Sequence, residues 1–177
     1  MPDNIHIKLP DGSIKEVPKG TTALAIAKDI GPRLADAALV AKTNGDLIDL
    51  AKPLEHDTDL RFLTEKDPEA LMVYRHSAAH LLAAAVLELF PETKLGHGPP
   101  TDTGFFYDFY RPTPFTQDDL EKLEKKMQEL AQQDIPYARE FYPRVEGLEK
   151  FKAEGDFMKC HFIEQFTKPD EKISIYK

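Results

Sequence analysis

Apolar and polar residues alternate at the start of the chain, with Ile5, Ile7 and Leu9 on one side of a short strand. The pattern breaks at Pro10-Asp11-Gly12 and resumes at Ile14 and Val17, which reads as a hairpin because Asp and Gly accept tight-turn dihedrals. Thr21 or Thr22 then caps an expected helix with apolar positions Leu24, Ala27 and Ile30, stopped by Gly31 and Pro32. A second hairpin turns at Asn44-Gly45 between Leu39-Val40-Ala41 and Leu47–Leu50, and Asp59–Leu63 supplies a last strand. Two hairpins around one helix predict a sheet folded over that helix, the β-grasp (ubiquitin-like) arrangement.

Residues 64–68 form a junction, with Asp67 as a helix cap and Pro68 at the first helical position. The spacing predicts a helix from there to about Phe90, ~33 Å long. Beyond Pro91 come a loop at Gly98-Pro99-Pro100 and an aromatic strand over Gly104–Tyr110. Thr116 opens a helix with a Thr-x-x-Asp capping pattern and an apolar stripe of Leu120, Leu123, Met127 and Leu130. A strand over Ile135–Tyr142, a short helix over Val145–Ala153 and a strand over Ile173–Tyr176 complete the pattern. The class is α+β in two domains, residues 1–63 and 64–177. The sequence ends at KISIYK, inside an expected strand, which points to a piece of something longer.

Composition agrees with a globular chain of 177 residues, 41% hydrophobic and 31% charged. No stretch approaches the ~18 apolar residues of a membrane span, and the longest apolar run, Ala78–Leu87, is broken by His80. The polar start argues against a secretory signal. Cys160 is the only cysteine, which excludes an internal disulfide and fits a cytoplasmic location. The net charge of −8 argues against gripping nucleic acid by bulk electrostatics.

Chemistry concentrates in the long helix. His76 and His80, at i and i+4, share a face with Cβ atoms about 5–6 Å apart. Ala79 and Ala83 beside them leave room for a neighbouring element. Two stacked imidazoles can ligate a metal or exchange protons near neutral pH, or they can be two hydrogen-bonded structural side chains. A zinc site needs further ligands, and His97, His161, Cys160, Asp102 and Asp108 are candidates with no spacing that selects among them. Ser77 excludes the His-Glu-x-x-His metalloprotease pattern. Lys159, in DFMKCHF, either has a pKa lowered by partial burial or keeps a wet head on a buried stem. Tyr107 alternates with Phe106 and Asp108 and faces either a pocket or the core. Cys160 reads as a small buried hydrophobe.

The ordered set LPDGS, RHSAAHLL, GPP…GFFYDF and the TQDDLEKLE helix resembles the amino-terminal region of bacterial-type threonyl-tRNA synthetases. The resemblance covers essentially the whole chain. It implies a TGS domain followed by an editing domain of the threonyl/alanyl-tRNA synthetase type, incomplete at its carboxyl end. His76 and His80 match that family's editing histidines, Tyr107 the tyrosine of its aromatic strand, and Lys159 the lysine of its Gly-x-x-x-Lys stretch, here Gly155–Lys159. The family completes the site with a Cys-x-x-x-His motif and an acid beyond the end of this sequence.

The implied function is hydrolysis of seryl-tRNA(Thr), with tRNA(Thr) carrying serine at its acceptor end as partner and no membrane. Full-length members use ATP, magnesium and zinc in an aminoacylation core and form homodimers through domains that this sequence lacks. No cofactor or metal is expected here, His76 and His80 being the pair that a metal would use, and the isolated piece is expected to be inactive. The alternative is a TGS-bearing RNA- or ligand-binding module preceding a nucleoside-kinase-like domain, which the sequence beyond Lys177 would distinguish.

Overall fold

The computed structural model describes residues 3–176; Met1 and Pro2 of the polar start and Lys177 lie outside them. The chain divides into two compact units, Met1–Arg75 and His76–Lys177. Strands β1 (Asn4–Lys8) and β2 (Ile14–Pro18) form the first hairpin, in register from Asn4↔Pro18 to Lys8↔Ile14. The turn holds Gly12 at φ 84°, and the Asp11 carboxylate accepts from the Ser13 amide and hydroxyl.

Helix α1 (Ala23–Ile30) starts at Thr22, whose hydroxyl accepts from the Ala25 amide. Its buried face is Ala23, Ile26 and Ala27, not Leu24 and Ile30, and Ile30 is exposed. Gly31 ends α1, but Pro32 opens a further short helix, α2 (Pro32–Ala37), where sequence reasoning saw only a stop. Proline at N1 serves both roles, since its missing N–H falls where no intrahelical partner exists.

Strands β3 (Ala38–Thr43), β4 (Asp46–Ile48) and β5 (Thr58–Thr64) complete a five-stranded sheet in the order β2-β1-β5-β3-β4. Only β1 and β5 pair in parallel. Ile5, Ile7, Ile26, Ala41, Leu54 and Leu60 form one contiguous core between sheet and α1, as the β-grasp reading requires.

Helix α3 (Pro68–Leu89) runs from the first unit into the second. The Asp67 carbonyl accepts the first helical bond, from Leu71. Its carboxylate, expected to cap the helix, instead turns back to accept from the Thr64 amide and the Arg61 guanidinium. By length and composition α3 does meet the requirement for a membrane span, over 22 residues, against the expectation from the sequence. The interruption at His80 is too brief to lower the average. A core helix passes the same test, and Ala79, Ala83, Ala85 and Val86 are buried against the chain itself.

In the second unit, α3 packs on α4 (Gln117–Gln132) through Ala85, Val86, Leu123 and Leu130. The Thr116–Asp119 capping box forms as expected, and Leu120 is exposed rather than part of the stripe. The predicted aromatic strand is largely irregular. Phe105 makes an isolated bridge to Pro100, and only β7 (Phe109–Tyr110) pairs, with β6 (Lys94–Leu95). Arg111 lies between the rings of Phe90 and Phe115, at 4.3 and 4.6 Å, which fixes the connection into α4.

A second ribbon pairs β8 (Arg139–Pro143) with β9 (Lys172–Tyr176). It shelters Leu148, Phe151, Cys160 and Ile163 of α5 (Arg144–Ala153) and α6 (Phe157–Phe166). Strand β8 begins at Arg139 instead of Ile135, and α6 has no counterpart among the elements expected from the sequence.

Candidate functional site

The one-turn spacing on α3 stacks the His76 and His80 rings, with centroids 4.8 Å apart and planes 29° from parallel. His76 is exposed and His80 half-buried, beside fully buried Ala79. Burial, and secondarily the nearby His76, holds the His80 pKa below its ordinary 6.5, so its imidazole is neutral at pH 7. Its Nε2 is buried without a hydrogen-bond partner among the described residues. A neutral ring with an uncommitted nitrogen, stacked on an exposed one, can accept or relay a proton.

Two tyrosines border the pair, and sequence reasoning missed both. Tyr137, preceding β8, donates to the Ser77 carbonyl at 3.0 Å, and its ring centroid lies 6.1 Å from that of His80. Tyr176 of β9 is closer, at 4.9 Å. Neither carried a local motif, because their proximity to α3 depends on where the ribbon packs.

Tyr107 and Lys159 both feel the charge of Asp156. The loop holding Tyr107 passes over Gly98, where a Cβ would fall 2.3 Å from the tyrosine ring, so glycine is required for that approach. Tyr107 stacks on Phe109 at 4.8 Å, and Phe106 points outward, the alternation expected from the sequence. Burial, then the Asp156 charge, raises the Tyr107 pKa above its ordinary 10.0, keeping the phenol protonated.

Lys159 is placed by the junction between α5 and α6. Gly155, at φ 66°, ends α5, with its amide bonded to the Lys152 carbonyl and the Asp156 amide to that of Phe151. These two bonds are a Schellman closure, which favours glycine at this position. Asp156 then caps α6 by accepting from the Lys159 amide, so the same residue closes one helix and opens the next. The Lys159 ammonium lies 3.5 Å from the buried Asp156 carboxylate and 4.7 Å over the Phe151 ring, with its side chain 36% exposed. A cation in the first turn opposes the helix dipole, and Asp156 offsets that cost.

The described contacts thus bring the histidines together with Tyr137 and Tyr176, and Lys159 together with Asp156, whose charge also reaches Tyr107. No described contact joins the two groups. Cys160 is buried, with its thiol 3.9 Å from the Leu148 carbonyl. The described residues contain no group of three or more His, Cys, Asp or Glu arranged to hold a metal. A cavity of about 680 Å³ lies on the first unit, where Lys8, Lys42 and Arg61 each face an acid.

The chain thus joins a β-grasp sheet to an α+β unit, with the histidine pair on the helix that runs into it. The family profile described as TGS domain matches residues 5–64, which span the sheet with α1 and α2. The chain is similar to a threonine–tRNA ligase of Acidobacterium capsulatum, 53% identical over 210 residues, covering 100% of this chain and 31% of that protein. It is also similar to those of Rickettsia peacockii (47% identical; 98% of this chain, 27% of the relative) and Burkholderia multivorans (45%; 97% and 27%). The chain belongs to the threonine–tRNA ligase family and corresponds to its TGS-bearing amino-terminal region. It spans less than a third of the length of the curated relatives it matches.

Proposed function

We propose that residues 64–177 act as the editing domain of a threonine–tRNA ligase, hydrolysing serine from tRNA(Thr). The observation that carries this reading is the stacked His76–His80 pair, one ring open to solvent and the other neutral with an uncommitted nitrogen. Its occurrence in a chain about half identical to threonine–tRNA ligases supports it.

The need for such a site is physical. Serine lacks one methyl of threonine, and a missing methyl contact discriminates by only about 1–3 kcal/mol. Some serine is therefore esterified to the tRNA and has to be removed at a second site. In this reading the histidines hold a water against the seryl ester, and the neutral His80 takes its proton as the water attacks the carbonyl carbon and returns it to the ribose oxygen as the C–O bond breaks, which releases serine. Lys159 polarises the ester or the neighbouring ribose hydroxyl, and Tyr107, kept as a phenol, lines the wall. Water attacks directly, so no covalent intermediate forms.

Ligation of threonine, with ATP and magnesium and a zinc that recognises the amino acid, belongs in this reading to a core beyond these residues, as does homodimerisation. The location is cytoplasmic. The test is release of serine from seryl-tRNA(Thr) by the protein at its full natural length. His76→Ala, His80→Ala and Lys159→Ala should each slow release about 100-fold or more, the scale of a lost acid–base group. Unchanged rates remove these residues from the reaction.

A further inference from the structure

The outward face of the β8–β9 ribbon has a composition unlike the rest of this acidic chain. Opposed residues of an antiparallel pair share a face, so the register Arg139↔Tyr176, Phe141↔Ser174 and Pro143↔Lys172 puts these six side chains together. All six are exposed, while Tyr142, Ile173 and Ile175 on the other face turn toward α5 and α6. The face carries two cations and no acid, in a chain of net charge −8. Phe141 is 58% exposed and Tyr176 40%, an aromatic area that the second unit itself leaves uncovered. Arg139 lies over both rings, 4.7 Å from Phe141 and 5.6 Å from Tyr176, and donates to the Ser174 hydroxyl at 3.1 Å.

These groups continue the histidine row. From His76 the sequence of neighbours is His80 at 4.8 Å, Tyr176 at 4.9 Å, then Arg139 and Phe141. Planar rings and a guanidinium on an open, acid-free face are what unpaired bases need for stacking, with cations for the phosphates. A duplex offers no exposed base faces for such a surface. We propose that this face binds the single-stranded 3′ end of an RNA, with bases stacked along Phe141, Arg139 and Tyr176 and the terminal nucleotide delivered to the histidine pair. The assignment rests on the editing reading for the identity of the RNA, and it names the surface that positions the strand. It also reconciles an acidic chain with an RNA partner, because the contact is local and largely built on stacking.

The test is fluorescence anisotropy of the 177-residue chain with a labelled single-stranded RNA ending in CCA, with folding of each variant checked by circular dichroism. Binding that weakens with salt is expected, and Phe141→Ala, Tyr176→Ala and Arg139→Ala should each weaken it about tenfold. Phe166→Ala, which removes an exposed ring outside the ribbon, should have no effect. Absence of binding, equal binding by the three variants, or preference for duplex RNA overturns the proposal. So does a doubled mass in sedimentation that Phe141→Ala restores to monomer without any RNA binding. Oligonucleotide binding without release of serine from seryl-tRNA would retain the RNA face and remove the editing reading. Serine release that Phe141→Ala leaves unchanged, with no oligonucleotide binding, would do the reverse.

Discussion

The first unit closes five strands over one helix and gathers Ile5, Ile7, Ile26, Ala41, Leu54 and Leu60 into its main core, while a smaller cluster of Val40, Leu63 and Ala70 joins the sheet to α3. The second unit divides its apolar residues between two clusters, one under α3 and α4 and one beneath the β8–β9 ribbon. It also leaves Phe106, Tyr110, Phe141, Phe157 and Phe166 exposed. The first unit resembles a module whose sequence is committed to folding. The second keeps rings, imidazoles and an ammonium at half-exposed positions, where they add little to stability and are available to a ligand. Exposed aromatic area of that kind usually marks an interaction surface.

If that contrast holds, damage to the two units should differ in kind. Ile7→Ala empties a fully buried position and should cost about 2–5 kcal/mol, read by urea unfolding. Hydrogen exchange should show the loss in residues 5–64 and not around the ribbon; loss in both would make the chain one cooperative body. Gly98→Ala should cost less, about 1–3 kcal/mol, because its methyl collides with the Tyr107 ring. That variant should lower the Tyr107 titration midpoint toward 10.0 as the ring is pushed toward water, a change with no parallel in the first unit. Thr116→Ala removes one half of the α4 capping box and should cost about 1 kcal/mol.

The smallest effect is electrostatic. His80 has a folded pKa below its ordinary value, so the unfolded chain takes up the proton first as pH falls. The stabilisation is complete above about pH 6.5 and is lost as pH falls through the lower folded value. The groups around the ring are His76 on α3, Tyr137 and Tyr176, none of them an acid that would favour the proton. Stability measured from about pH 7.5 to about pH 5 should therefore decline, with a shallower slope in His80→Asn.

Legibility from sequence followed the same division. The β-grasp unit could be read because its signals are local: alternation in β1, Asp-Gly and Asn-Gly turns, and a threonine cap at 22. The histidine pair was equally local, since helical spacing alone brings the rings together. Tyr137 and Tyr176 were not legible, because what places them is packing between elements more than 50 residues apart. Helix α6 was missed although Asp156 stands three residues before Lys159, a spacing that can signal a cap. The aromatic stretch 104–110 has strand composition, yet only its last two residues find a partner.

The single residue shared between α5 and α6 leaves no slack in the chain there. An extra residue between Gly155 and Lys159 would swing the ammonium by about 100° around α6, since each residue advances the helix by that angle. A substitution at Gly155 strains a positive φ, whereas a change in the spacing of the junction aims the amine elsewhere. Drift in length should therefore be confined to the connection between α6 and β9.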